Sequence, residues 1–107
     1  MYKILVVDDE SIEREGISFL IEKYKFPLEV AQATNGKTAL EYMRTHPIDI
    51  LLTDAKMPQM DGLELARHTF EKYPDVRILV FSAYGEFEFA KKAMAAQAVS
   101  YLLKPIE

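Results

Sequence analysis

A chain of 107 residues, half of them apolar and with a formal charge of −4, has the size and composition of one ordinary globular domain, able to bury roughly two-thirds of its unfolded surface. The acidic balance excludes unaided binding along a nucleic-acid backbone, which needs a surplus of Lys and Arg on one face. With no cysteine, disulfides, thiolate metal sites and a cysteine nucleophile are excluded too.

The first apolar run, residues 4–7, reads as a strand ending against Asp8, Asp9 and Glu10. So short a run followed by acid cannot be a signal-peptide core or a membrane span, so a soluble, cytoplasmic protein without membrane contact is expected. Ile17, Leu20, Ile21 and Tyr24 follow at i, i+3, i+4 and i+7, one face of a helix. A weaker strand at 30–33 leads to Asn35 and Gly36, read as a turn, and then to a helix marked by Ala39, Leu40 and Met43. The third strand, 48–52, runs into Thr53 and Asp54. Leu63, Leu65, Ala66 and Phe70 mark a third helix that ends near Pro74. A strand at 78–81 meets Ser82, an alanine-rich helix occupies 87–96, and a last strand at 99–103 meets Lys104.

Each return from strand to strand is far longer than a hairpin, so the strands pair in parallel and right-handed crossovers place helices on both faces. The runs 4–7 and 78–81 lack polar alternation, as central strands covered on both sides do. The fold class expected is a doubly wound α/β sheet of five strands. The chain stops soon after the fifth strand, so the helix expected next is taken as missing, and residues 1–107 as one domain trimmed before it.

Ligands of such sheets bind at the carboxyl ends of the strands, near the point where strand order reverses. Those ends deliver Asp8, Asp9, Asp54, Ser82 and Lys104 to one edge. Each has a plain structural reading: an Asp pair before a helix as its N-cap, a single Asp or Ser as a loop former, a Lys as a solvated charge. Their conjunction on several strands is what points to a site. Two carboxylates about 5 Å apart repel by roughly 3 kcal/mol at an effective dielectric near 20, so converging acids call for a cation or a raised pKa. Magnesium suits an all-oxygen donor set, with manganese as the substitute, and no His or Cys nearby favours zinc. A magnesium ion beside an aspartate, with a hydroxyl and a lysine, is equipment for phosphoryl transfer. Asp54 is the candidate nucleophile, Asp8 and Asp9 the metal holders, and Ser82 and Lys104 the groups that bind phosphoryl oxygens.

Five segments then carry a resemblance: Val6-Val7-Asp8-Asp9-Glu10; Asp49-Ile50-Leu51-Leu52-Thr53-Asp54; Met57-Pro58 with Met60-Asp61-Gly62; Phe81-Ser82-Ala83; and Tyr101-Leu102-Leu103-Lys104-Pro105. In this order they resemble the receiver domain of two-component response regulators. The resemblance implies a flavodoxin-like sheet in order 2-1-3-4-5, a histidine kinase as phosphoryl donor, and Asp54 as acceptor. It implies magnesium ligation by Asp9 and Asp54, by the Lys56 backbone carbonyl, and by Asp8 through water. Ser82 would move toward the phosphoryl group while Tyr101 swings inward, with an amphipathic edge-strand residue as the alternative for Tyr101. Lys104-Pro105 resembles a pair commonly joined by a cis bond, an isomer accessible before proline; an ordinary strand end is the alternative. Ala83 would keep space for the phosphoryl group, while Pro58 and Gly62 would shape the loop after Asp54, Gly62 by adopting positive φ. Lys56 and Tyr84 depart from the best-known single-domain receivers and would either shield Asp54 from water or project into solvent. The stretches 53–58 and 82–90 are similar to receivers attached to AraC-type helix-turn-helix outputs. That implies a DNA-binding segment beyond this chain, controlled through the face near the fourth helix and fifth strand, where Phe87 and Phe89 would lie, with a homodimer as one mode of control.

Three other readings remain. A haloacid-dehalogenase-type hydrolase also uses Asp, hydroxyl, Lys and magnesium, but its Asp-x-Asp pattern follows the first strand, where this chain has Asp8-Asp9-Glu10. A flavin or nucleotide carrier suits the fold, but neither glycine-rich phosphate motif occurs. An interaction module independent of phosphorylation usually lacks one of the acids or the lysine, and both are present here.

Overall fold

The computed structural model describes residues 1–82 and, as the backbone of a last strand, 100–103. The order is β1 (Tyr2–Val7), α1 (Ser11–Lys23), β2 (Leu28–Ala33), α2 (Gly36–Thr45), β3 (Ile50–Asp54), α3 (Gly62–Lys72), β4 (Arg77–Ser82) and β5 (Ser100–Leu103). All neighbouring strands pair in parallel, in the order β2-β1-β3-β4-β5. This is the five-stranded sheet, and the strand order, expected from the sequence. The expected helix at 87–96, and any helix after β5, lie outside the described residues.

Alternate residues of the central strands serve different faces. Leu5, Val7, Leu51, Ile78 and Val80 pack with Ala39 and Met43 of α2 and Leu65 and Ala66 of α3. Ile4, Val6, Leu52 and Phe81 form a second cluster with Ile21 of α1. A strand buried on both faces needs apolar side chains at successive positions, which is why residues 4–7 show no alternation.

Several expectations need correction. Asn35 and Gly36 do not form a separate turn. Asn35 caps α2, its Oδ1 accepting from the Thr38 backbone N–H at 2.8 Å while the Thr38 hydroxyl oxygen accepts from the Asn35 N–H at 3.3 Å. This reciprocal pair satisfies two backbone donors at the helix start. Tyr24 is the C-cap of α1 and is 59% exposed, so the buried face ends at Ile21. Phe70 lies on α3 but is 39% exposed. The third strand begins at Ile50, later than its apolar run, and continues through Thr53 and Asp54. Its polar end is held by pairing with β4, Asp54 standing opposite Phe81.

Candidate functional site

From β1 the chain crosses to β2 on one side and later starts β3 on the other. The helices that follow β1 and β3 pack on opposite faces, so the loops after these strands diverge and leave a crevice at their carboxyl ends. Register brings Val7 opposite Thr53, so Asp8 and Asp54, the next residues, emerge side by side at this point. Asp8 is fully buried and Asp54 nearly so, while Asp9 and Glu10 are exposed. Carboxylate oxygens of Asp8, Asp54 and Glu13 lie within 4.8 Å of one another, and those of Asp8, Asp9 and Glu10 form a second such set on the solvent side.

The local bonding shows what Asp8 does. Its Oδ1 accepts from the Glu10 backbone N–H at 2.9 Å, closing a tight turn of the kind Asp side chains favour. Glu10, not Asp8 or Asp9, occupies the N-cap of α1, and it makes no side-chain cap. The simple capping role for the acidic pair is therefore not the one this fold uses. Asp8 Oδ2 is buried with no hydrogen-bond partner, an arrangement rare enough in native proteins to require a cause. Arg14 of α1 braces the same loop, donating to the Asp8 carbonyl oxygen at 2.7 Å and to Gln32 Oε1 on β2 at 3.1 Å. Gln32 in turn donates to Ser18 Oγ at 3.1 Å. Beyond β3, the Lys56 N–H donates to Asp54 Oδ1 at 3.4 Å, and the Thr53 hydroxyl donates to the Asp54 carbonyl at 3.0 Å.

Burial is the main reason the Asp8 carboxyl is pushed up to about 8. A side-chain hydrogen bond with Glu13 and the charges of Asp54 and Glu13 act in the same direction, against the Glu10 N–H, which favours the ionised form. Three converging carboxyl groups, one with an oxygen that no donor reaches, fit a hard divalent cation with oxygen ligands, and magnesium is such an ion. The groups that could hold it are Asp8, Glu13 and Asp54 in one set and Asp8, Asp9 and Glu10 in the other.

The raised Asp8 value has a consequence for stability. Between the ordinary carboxyl value of 3.8 and about 8 the folded chain holds a proton that the unfolded chain has released. In EDTA, stability should therefore be greatest at acid pH and should decline as pH rises through 8. Asp8→Asn cannot ionise there and should flatten this slope, melting on the order of 5 °C higher than wild type at pH 8. Thermal melts from pH 5 to pH 9 measure both.

Comparison with known proteins decides the family. The model of the response regulator receiver domain matches residues 4–107. The chain belongs to the response regulator receiver family. The receiver is 43% identical to the transcriptional regulatory protein YesN of Bacillus subtilis over 98% of this chain and 29% of that protein. It is 35% identical to the response regulator UvrY of Escherichia coli, over 97% of this chain and 48% of that protein. The receiver thus spans less than half the length of these curated relatives. Among solved structures, the REC domain of the response regulator AraT from Geobacillus stearothermophilus aligns with a TM-score of 0.87 at 43% identity, over 99% of this chain and 83% of that one. A two-component transcriptional regulator AraC from Clostridium phytofermentans aligns with a TM-score of 0.87 at 36% identity, over 100% of this chain and 84% of that one.

The other expected residues of the receiver fall as follows. The Ser82 backbone ends β4 opposite Leu103, and the Tyr101 backbone lies on β5 opposite Val80. Lys56 is exposed. Ala83, Tyr84, Phe87, Phe89, Lys104 and Pro105 lie outside the described residues. Gly62 does not adopt positive φ; in that loop the positive φ belongs to Gln59, at 67°. Gly62 is required for a different reason. A Cβ there would run into the Asp54 carbonyl oxygen and sit 2.9 Å from Ala55 Cα. Glu13 and Arg14 were not singled out from the sequence. The signal for both lay in the helix start, because side chains in a first turn lean back toward the preceding loop. No helix among the described residues is long and apolar enough to cross a membrane.

Proposed function

We propose that this receiver accepts a phosphoryl group from a histidine kinase on Asp54 and thereby controls an output domain elsewhere in its protein, residues 1–107 forming one receiver domain. The observation that carries this reading is the burial of Asp54 beside Asp8, whose Oδ2 no donor reaches, at the reversal point of the sheet.

Asp8, Asp9 and Asp54, with the Lys56 carbonyl, are the groups proposed to hold magnesium. When bound, the ion neutralises charge that builds on the equatorial phosphoryl oxygens. The chain's own contribution is placement. Asp54 is fixed at the end of a strand paired on both sides, with its Oδ1 held by the Lys56 N–H. One carboxylate oxygen attacks phosphorus, the acyl phosphate forms, and the donor's leaving group departs with its bonding electrons. Ser82 and Lys104 are assigned to bind phosphoryl oxygens, the serine by its hydroxyl and the lysine as a point charge, with Ala83 leaving space beside them. Ser82 and Tyr101 form the proposed switch between the site and the β4–β5 edge. The name of YesN supports control of transcription, and that of the Clostridium regulator an output of AraC type; the receiver is accordingly assigned a DNA-binding output and a place in the cytoplasm.

Incubation with acetyl phosphate and magnesium, followed by intact mass, tests the reading. The expected result is a gain of one phosphoryl group that EDTA prevents. A folded chain that stays unmodified would favour a module working by protein contact alone.

A further inference from the structure

We infer that Arg14 is a positioning residue of the site: with Gln32 it fixes the peptide that joins Asp8 to Asp9, and so sets where the Asp9 carboxylate stands for the divalent cation; this rests on the magnesium reading above. The pairing of β1 with β2 ends where the Asp8 N–H donates to the Ala33 carbonyl, 3.2 Å away. Beyond that point the chain leaves the sheet, and the Asp8 carbonyl accepts instead from Arg14 Nη1 at 2.7 Å. A peptide unit is planar, so holding its oxygen orients the whole unit, including the Asp9 nitrogen and Cα. Asp9 is exposed, so packing does not place its carboxylate and the backbone must.

Satisfying one carbonyl does not by itself require an arginine, since an ammonium or a water can donate there too. The second observation is what holds the guanidinium. Its Nε donates to Gln32 Oε1 at 3.1 Å, and the Gln32 amide nitrogen donates to Ser18 Oγ at 3.1 Å. Gln32 stands on β2 opposite Val6, while Arg14 and Ser18 lie one turn apart on α1. The brace therefore ties helix to strand. An exposed glutamine is ordinarily left to water, yet here both ends of its amide are used. A planar fork with donors in fixed directions serves two acceptors at once, which an ammonium on a flexible stem does not. Charge points the other way, because a guanidinium beside a cation site repels the cation. Placement, not attraction, accounts for Arg14.

Isothermal titration of the unphosphorylated receiver with magnesium chloride, for wild type, Arg14→Met, Arg14→Lys and Gln32→Leu, tests the inference beside melting curves in EDTA. Charge and placement predict opposite signs for Arg14→Met. Loss of a positive charge alone tightens magnesium binding, whereas loss of the brace should weaken it about ten-fold, as for removal of a supporting group around a metal. Arg14→Lys keeps the charge and should weaken binding about as much. Gln32→Leu should fall between wild type and these, and combined with Arg14→Lys it should add no further loss, because the two residues act as one unit. An Arg14→Met receiver that binds magnesium as tightly as wild type, or more tightly, overturns the inference and leaves the magnesium reading standing. So does an Arg14→Lys Kd equal to that of wild type, and so do variants that melt lower in EDTA with unchanged Kd, since the brace would then be structural only. If both arginine variants fail to fold, Gln32→Leu decides alone, and a Kd equal to wild type overturns the inference. Absence of magnesium binding by wild type overturns the magnesium reading and the inference with it.

Discussion

Asp54→Ala should abolish phosphoryl uptake from acetyl phosphate, lowering the rate by at least about a thousand-fold, because the remaining groups can bind a phosphoryl oxygen but none takes the place of the attacking carboxylate. Asp54→Glu keeps the functional group and shifts its oxygens by one methylene. A misplacement of that order costs about a hundred-fold when attack must be in line, so this variant should fall well below wild type yet above alanine. Stability should move the other way. The charge of Asp54 is one of those that raise Asp8, so Asp54→Ala should melt no lower than wild type in EDTA. Rates of mass gain and melting curves on the same preparations separate lost chemistry from lost fold. An alanine variant that gains the phosphoryl group at the wild-type rate would remove Asp54 from the proposed role.

Gly62→Ala should be the most damaging single-methyl change near the site. Gly62 opens α3 and its N–H donates to the Ala55 carbonyl at 2.9 Å, so it is tied to the backbone that follows Asp54. The added Cβ would meet the Asp54 carbonyl oxygen and would lie 2.8 Å from its carbon, and neither atom belongs to a flexible side chain. Overpacking against backbone costs about 3 kcal/mol or more, a large share of the roughly 5 to 15 kcal/mol that holds a domain of this kind. The melting temperature should drop by on the order of 15 °C. Because the collision falls on the peptide of Asp54 itself, the folded fraction should also take up phosphoryl groups more slowly. Gly36→Ala is the control. Its Cβ would press on the Met60 side chain, with Cγ at 2.9 Å, and that side chain can move; the alanine also favours the helix it enters. Urea or thermal denaturation of the pair should show a much smaller change for Gly36→Ala, and equal losses would contradict the backbone contact as the cause.

What the sequence made legible follows from what its signals measure. Burial on both faces leaves an apolar run, so the strands at 4–7 and 78–81 stood out. Backbone pairing of polar residues leaves no such trace, so the third strand looked finished at Leu52, whereas Thr53 and Asp54 remain in the sheet and the Ala55 N–H still donates to the Phe81 carbonyl at 2.8 Å. Helical spacing gives the direction of a face and not its length, so Tyr24 and Phe70 carry the apolar spacing of their helices although both are exposed. Gly62 was recognised as a glycine the loop needs, but its reason is distance, and a sequence does not show which backbone comes near. Asp8 and Asp54 were legible because strand ends are where a parallel sheet gathers its polar groups. Glu13 was not, since a first-turn acid already has an ordinary explanation; only the fold shows its carboxylate beside Asp8 and Asp54.

The most direct test is to locate the modified residue. After treatment with acetyl phosphate and magnesium, borohydride reduces an acyl phosphate to an alcohol and so marks the acceptor in a digested peptide. The expected product is homoserine at position 54, formed only when magnesium is present. Homoserine at position 8 or 9, or a phosphoryl group that survives on a serine or histidine, would contradict Asp54 as the acceptor.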